Sequence, residues 1–411
     1  MPRLVALMLV LAFAAQPAAG DAVPAFDCQP LAPPGKSYAQ FGLAAGDWNG
    51  DGKKDLAVSY LVDSLLGLFL NRGGRRFELS AAAPTGEVPR GIGVADADGD
   101  GALDLVVANA NTGDVTLILG DGKGGYSKTL SLLSGFGPFD AQFADFDGDG
   151  HPDLVVANES NPGVPTKGQV NVLFGGKGPG LSLHRGGGVF SESVELRAGQ
   201  HPAEVVIADF DGAHGPDLAV INWESATISV FLHAGGRAFG PERSIATGGE
   251  LTYAIFGGDL DGNGTIDLAT SEIGLAGGPV ARTFLGDGKG EFKAGGVYPV
   301  GLGARHINGA DLDNDGHIDL ISANTSAASL SILMNDGKGG FAPKVDLRVG
   351  IGPRIVLAED LDGDGKIDLA AANGRTMAVS LLWQTSGRGR PCPENEVKKR
   401  ERPTPARRPA R

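Results

Sequence analysis

The sequence predicts an all-β fold, a seven-bladed β-propeller with four strands in each blade. Three observations lead there. An Asp-rich loop occurs seven times, starting at Asp47, Asp96, Asp145, Asp209, Asp259, Asp311 and Asp360, at separations of 49, 49, 64, 50, 52 and 49 residues. A period near 49 is the size expected of one four-stranded propeller blade. The 66 Gly and 25 Pro among 411 residues exclude a mainly helical chain, since Gly costs about 1 kcal/mol and Pro about 3 kcal/mol in a helix interior. At 42% hydrophobic, the chain can still bury a sizeable core and is not a disordered linker.

The second repeat shows the expected anatomy. Gly91 to Ala95 reads as a short strand entering the loop Asp96 to Asp104. Leu105-Val106-Val107-Ala108 is a second, apolar strand, and Val115 to Leu119 a third, rich in the residues strands prefer. The turn Gly120 to Gly125 leads to a fourth strand from Tyr126.

The acidic loops carry oxygen donors at positions 1, 3, 5 and 9. Loop one offers Asp47, Asn49, Asp51 and Asp55; loop two Asp96, Asp98, Asp100 and Asp104; loop three Asp145, Asp147, Asp149 and Asp153. Loop five offers Asp259, Asp261, Asn263 and Asp267; loop six Asp311, Asp313, Asp315 and Asp319; loop seven Asp360, Asp362, Asp364 and Asp368. Such sets suit a hard cation, Ca²⁺ above all, which takes six to eight oxygens in flexible geometry. Gly at position 6 (Gly52, Gly101, Gly150, Gly264, Gly316, Gly365) allows the sharp turn around an ion. Loop four keeps Asp209, Asp211 and Asp217 but has Ala213 at position 5 and His214 at position 6, so a weak or empty site is expected there. About six structural Ca²⁺ per chain are expected in all. These are not EF-hands: position 12 holds Val107, Val156 or Ala371, and strands flank the loops. The competing reading of any one loop is an Asp-rich turn held by side-chain to backbone bonds alone.

The loops Asp-x-Asp-x-Asp-Gly-x-x-Asp-Leu, followed by an apolar strand and a Gly-Asp-Gly-Lys-Gly-Gly-Phe/Tyr turn, resemble FG-GAP (VCBS-type) repeats, the repeats of the integrin alpha-subunit propeller. The likeness covers roughly residues 26 to 385. It implies a calcium-binding seven-bladed propeller outside the cytoplasm.

The ring must close. An aromatic residue stands 19 or 20 residues before each following loop, at Phe77, Tyr126, Phe190, Phe239, Phe292 and Phe341, and is expected to open each outer strand. Blade seven ends after its third strand, Ala378 to Trp383, whereas Phe26 lies 21 residues before Asp47. The N-terminal segment is therefore expected to complete the last blade, leaving no unpaired edge between first and last. Cys28 and Cys392 fall where a missing connection would join those strands, and a disulfide between them is expected.

Residues 1–20 read as a signal peptide, with Arg3, the apolar run Leu4 to Ala15 and small residues at Ala18-Ala19-Gly20. The propeller then spans 21–393, and 394–411 form a disordered, basic, Pro-rich tail. No stretch is apolar enough for a transmembrane span. A secreted, periplasmic or cell-surface monomer is expected. The third repeat is longer by 15 residues, in 161–167 and 175–188; such loops belong either to a binding face or to neutral drift. Of the 49 acidic residues 25 lie in the seven loops, so the acidity points to bound cations, and nucleic acid is excluded as a partner.

Catalytic motifs are missing. Gly120 to Gly124 superficially suggests a phosphate loop but lacks the spacing and the helix, and it recurs at 286–290 as a hairpin turn would. Six residues before the loops stand Phe41, Arg90, Phe139, Ala203, Tyr253, Arg305 and Arg354. Of these, Arg90, Phe139, Tyr253, Arg305 and Arg354 are the candidate ligand residues on the face away from the acidic loops. They could grip an anionic or sugar-bearing ligand through ion pairs and stacking, or simply pack between blades. The favoured function is a binding or adhesion module for an extracellular protein or glycan. The alternative is a polysaccharide-acting lyase or hydrolase, with Asp140, Glu204 and His306 as possible acid/base members.

Overall fold

A computed structural model describes residues 23–32, 39–159, 168–176, 190–249, 251–274, 277–376, 378–386, 389–390 and 392. The proposed signal peptide, the basic tail and nearly all of the third repeat's extra length lie outside these residues. Among the described residues none is helical, so no helix is long and apolar enough to cross a membrane.

The described residues form 28 strands in seven four-stranded antiparallel sheets. Six sheets take their strands in chain order. The seventh has the order β1 (Ala25–Leu31), β28 (Val379–Thr385), β27 (Asp368–Asn373), β26 (Pro353–Glu359). Here β1 pairs with β28 in unbroken register from Ala25 opposite Thr385 to Leu31 opposite Val379. A disulfide joins Cys28 to Cys392 with 4.8 Å between their Cα atoms. The Cys28 amide donates to the Arg390 carbonyl at 3.0 Å, so the segment after β28 turns back along the closing strand.

Why does each repeat bury a sheet? The second strand of every blade is six residues long, begins with the position-9 Asp and is wholly buried, as in Asp104–Asn109 and Asp319–Asn324. Such strands read as continuous apolar runs because both faces are covered by neighbouring blades. Position 2 of each loop seals the joint with the next blade. Trp48 packs with Leu105 and Ile118, Phe146 with Leu218 and Phe231, and Leu361 with Leu56 and Phe69.

One expectation is corrected. Phe239 and Phe341 do not open their outer strands but form isolated bridges with His233 and Asn335. Those strands begin later, at Arg243 and Val345. Pro241 and Pro343 intervene; without an N–H, proline cannot continue the ladder.

Candidate functional site

At one end of the propeller the acidic loops are wound around their first Asp. In loop one, Asp47 Oδ1 accepts from the Gly50 and Asp51 amides at 2.8 and 3.1 Å, and Oδ2 from the Gly52 amide at 2.7 Å. The same set recurs around Asp96, Asp145, Asp259 and Asp360. The winding uses left-handed backbone at position 6, for example φ +81° at Gly52 and +91° at Gly316, and also at position 4, φ +72° at Gly50. Only Gly adopts such angles freely.

The position-9 Asp staples its loop to the sheet. Asp55 Oδ2 accepts from the Trp48 amide at 3.0 Å and Oδ1 from the Asn71 amide at 2.7 Å, and all seven repeats reproduce this pair. Carboxylate oxygens converge within 4.8 Å in the sets Asp96/Asp98/Asp104, Asp145/Asp147/Asp153, Asp259/Asp261/Asp267 and Asp311/Asp313/Asp315. Burial pushes Asp104 up to about 6, and Asp319 and Asp368 up to about 7, with the neighbouring loop carboxylates adding to it. A half-buried group of all-oxygen donors that repel one another fits a hard divalent cation, which would neutralise them and crosslink the turn. These clusters could therefore hold metal ions.

Loop four differs in the expected place yet keeps its acids together, Asp209, Asp211 and Asp217 forming one such set. His214 occupies the glycine position at φ +62°, and its carbonyl accepts from Nδ1 of His233 at 2.7 Å.

The other end of the channel is cationic. Each inner strand carries a register shift at its start, as between Pro89 and Ile92, Pro138 and Asp140, and Pro353 and Ile355. The shift falls on the residue six before the loop. A bulge re-aims its side chain, and here it turns the ring of candidate residues across the joints between blades. The Arg90 guanidinium lies 4.6 Å from the Phe139 ring of the next blade, Arg305 4.6 Å from Tyr253 of the preceding one, and Arg354 5.5 Å from Phe41 across the closing joint. Phe41 and Phe139 meet edge to face at 5.7 Å, and Tyr253 stacks on Trp223 at 5.4 Å. The rings thus serve as platforms for guanidinium groups, a use the sequence reading did not separate from ligand stacking.

Charge follows from this packing. Arg90 pairs with Glu159 at 2.9 Å. Burial lowers Arg354 to about 10, with Arg305, Arg90 and Arg375 adding repulsion. Burial likewise lowers Arg305, and Arg90 contributes. The three arginines therefore sense one another at one mouth of the channel.

Just inside lies a cavity of about 190 Å³ lined by Phe41, Phe139, Asp140, Gln142, Glu204, His306 and Asn308 among others. Asp140 accepts from Gln142 Nε2 at 2.9 Å and from the Val205 amide of the next blade at 3.2 Å. A Cβ on Gly91, at the equivalent place one blade earlier, would collide with this carboxylate. Glu204 accepts from the Ile255 amide at 3.2 Å, and its Oε1 stands 3.7 Å from His306 Nε2. Burial raises Asp140, raises Glu204 well above the usual carboxylate range with Asp140 adding to it, and lowers His306 to about 4.

Seven four-stranded blades, Asp-wound loops at one end and a cationic mouth at the other define a seven-bladed β-propeller with Asp-loop repeats. A family model for the FG-GAP-like repeat matches residues 47–107, 96–156 and 311–371. The chain thus carries FG-GAP-like repeats, and its seven blades fit an FG-GAP repeat propeller resembling that of integrin alpha subunits. No curated protein matches it significantly. Among solved structures it is similar to an Agrocybe aegerita lectin that recognises non-reducing terminal N-acetylglucosamine, at 18% identity and TM-score 0.51, over 83% of this chain and 87% of that one. It is also similar to virginiamycin B lyase from Staphylococcus aureus, at 12% identity and TM-score 0.57, over 88% of this chain and 100% of that one. A third similar structure is BBS1N in complex with ARL6DN, at 12% identity and TM-score 0.59, over 89% and 97% of the two chains. At these identities the likeness is one of fold.

Proposed function

We propose that the protein is an exported, calcium-stabilised propeller that binds a protein or glycan at the mouth away from its acidic loops. The observation that carries this reading is the convergence of Arg90, Arg305 and Arg354, each over an aromatic ring of a neighbouring blade. Partly buried guanidinium groups gathered at a concave mouth are costly for stability alone and favour a bound partner. The acidic loops lie six residues along the same strands, about 20 Å away, so Ca²⁺ there serves the scaffold. Export is supported by the apolar run after Arg3 and by the Cys28–Cys392 disulfide. The likeness to a lectin is compatible with a glycan ligand.

A second reading, an enzyme on polysaccharide, is favoured by one observation: Asp140, Glu204 and His306 share a cavity. A glycan array followed by product analysis on each hit separates the two. Binding without turnover supports the first reading, and cleavage abolished by Glu204→Gln supports the second. An array and a protein-ligand screen without any hit would contradict both.

A further inference from the structure

Among the described residues two of the mouth arginines have no carboxylate in direct contact, although Glu159 and Glu204 act on Arg305 from farther off. Among the described residues Arg90 is neutralised by Glu159, whereas no carboxylate lies within ion-pair distance of Arg305 or Arg354. The Arg305 Nε is buried and makes no hydrogen bond. Both guanidinium groups lie over an aromatic ring, Arg305 over Tyr253 and Arg354 over Phe41. A guanidinium stacked by its face keeps its N–H donors in its edge, where they match the two oxygens of a planar anion. Arg375 adds a fourth positive charge close enough to act on Arg354. The rings being covered, this mouth meets a ligand with guanidinium groups rather than with open aromatic faces.

The cavity adjoins these arginines, since Phe41 under Arg354 lines it and so does Glu204, whose charge acts on Arg305. Glu204 and His306 face each other at 3.7 Å, beside Gln142 and Asn308. Burial favours the neutral form of both Glu204 and His306. Neutral donors and acceptors in a small cavity suit hydroxyl groups better than an ammonium group. An anion above and hydroxyls below are the two ends of one sugar acid.

We propose that the mouth is a subsite for an acidic sugar residue, its carboxylate held by Arg305 and Arg354 and its hydroxyls turned toward Glu204 and His306. This deepens the binding reading above and rests on it. An acidic peptide would satisfy the arginines but would bring no hydroxyl-rich ring to the cavity.

The test is calorimetric titration of the calcium-loaded protein with glucuronate- and galacturonate-containing oligosaccharides. Each is paired with its carboxyl-reduced, neutral counterpart, and an acidic hexapeptide is run beside them. At least one acidic oligosaccharide should bind about tenfold or more tighter than its reduced counterpart, because the bidentate pair is lost on reduction. Arg305→Ala and Arg354→Ala should each weaken it by about tenfold or more, with unchanged thermal midpoints. Should either variant fail to fold, Arg305→Lys keeps the charge over Tyr253 but not the two-pronged edge, and should still bind several-fold less tightly. A neutral oligosaccharide that binds as tightly as its acid and is lost in Arg305→Ala overturns the acidic-sugar assignment while leaving the binding reading intact. Binding of the acidic peptide alone overturns the assignment too. Absence of any sugar or protein ligand removes the binding reading itself, and the assignment with it.

Discussion

The Arg75 guanidinium donates from Nε to Oδ2 of Asp362 at 2.8 Å, joining the outer turn of blade one to the acidic loop of blade seven. The same guanidinium lies 5.4 Å from the Trp383 ring. Arg237 repeats the arrangement between blades four and three, bonding Asp147 at 2.7 Å and lying 5.1 Å from Phe174. In the other described turns of this kind glycine takes the place, at Gly124, Gly290 and Gly339. Two of the joints are thus latched by a charged bond onto an acidic-loop residue.

Removing a latch should weaken the ring. Arg75→Ala is expected to lower the unfolding free energy by about 1–2 kcal/mol, a charge-assisted bond discounted for its partial exposure. Arg72, which pairs with Glu78 on the open surface at 3.0 Å, is the control; Arg72→Ala should stay within about 0.5 kcal/mol of wild type. Denaturant titrations of the two variants check this, and equal effects would show that the latch adds nothing.

Calcium should act as a folding ligand. Chelation with EDTA is expected to lower the thermal midpoint sharply and added Ca²⁺ to restore it, since binding to the native state alone stabilises it. Metal analysis should return about six ions per chain, with the loop at Asp209 weak or empty. An unchanged midpoint in chelator, with no metal retained at neutral pH, contradicts the assignment.

The disulfide should matter through the length it spans. Cys28 and Cys392 are 364 residues apart, for which the chain-entropy model gives an upper figure of about 6 kcal/mol. Reduction, or the double substitution C28S/C392S, should lower stability by a measurable fraction of that, because β1 remains paired with β28. Intact mass after alkylation should show one bridge within a monomer. Two alkylatable thiols in the native protein would refute it.

Acid should destabilise the channel through His306. Its folded-state pKa, lowered by burial to about 4, lies below the unfolded value of 6.5. Between those values the unfolded chain takes up a proton that the native state refuses, so stability is present above about 6.5 and falls as pH drops toward 4. The full shift corresponds to about 3 kcal/mol at most. Glu204, 3.7 Å away, is raised and works in the opposite sense, its contribution fading as pH rises above the unfolded value. The wild-type minus His306→Gln difference in stability should therefore decline from pH 6.5 to pH 4. A flat difference would show that His306 titrates as it does in water.

The fold class was legible because identity at a fixed offset carries it: seven Asp-rich loops, an apolar strand after each, and a period near 49. The shared offset of Arg90, Arg305 and Arg354 was legible for the same reason. Their pairing with Phe139, Tyr253 and Phe41 was not, because it depends on how adjacent blades rotate past each other. The inner-strand bulge was also hidden, since it is a mismatch between two strands and leaves little mark on either. Its one hint is the proline opening four of those strands, Pro89, Pro138, Pro202 and Pro353. The staple made by each position-9 Asp escaped notice because its partners are backbone amides, which residue identities do not show.

In the proposed function, ligand binding and metal binding occupy opposite ends of the propeller. The most direct measurement takes one preparation of the Arg90→Ala, Arg305→Ala, Arg354→Ala triple variant and records both its glycan-array signal and its calcium content. The glycan signal given by the wild-type protein is expected to disappear while the calcium per chain stays the same. Undiminished binding by the triple variant, or binding lost only together with calcium, would contradict it.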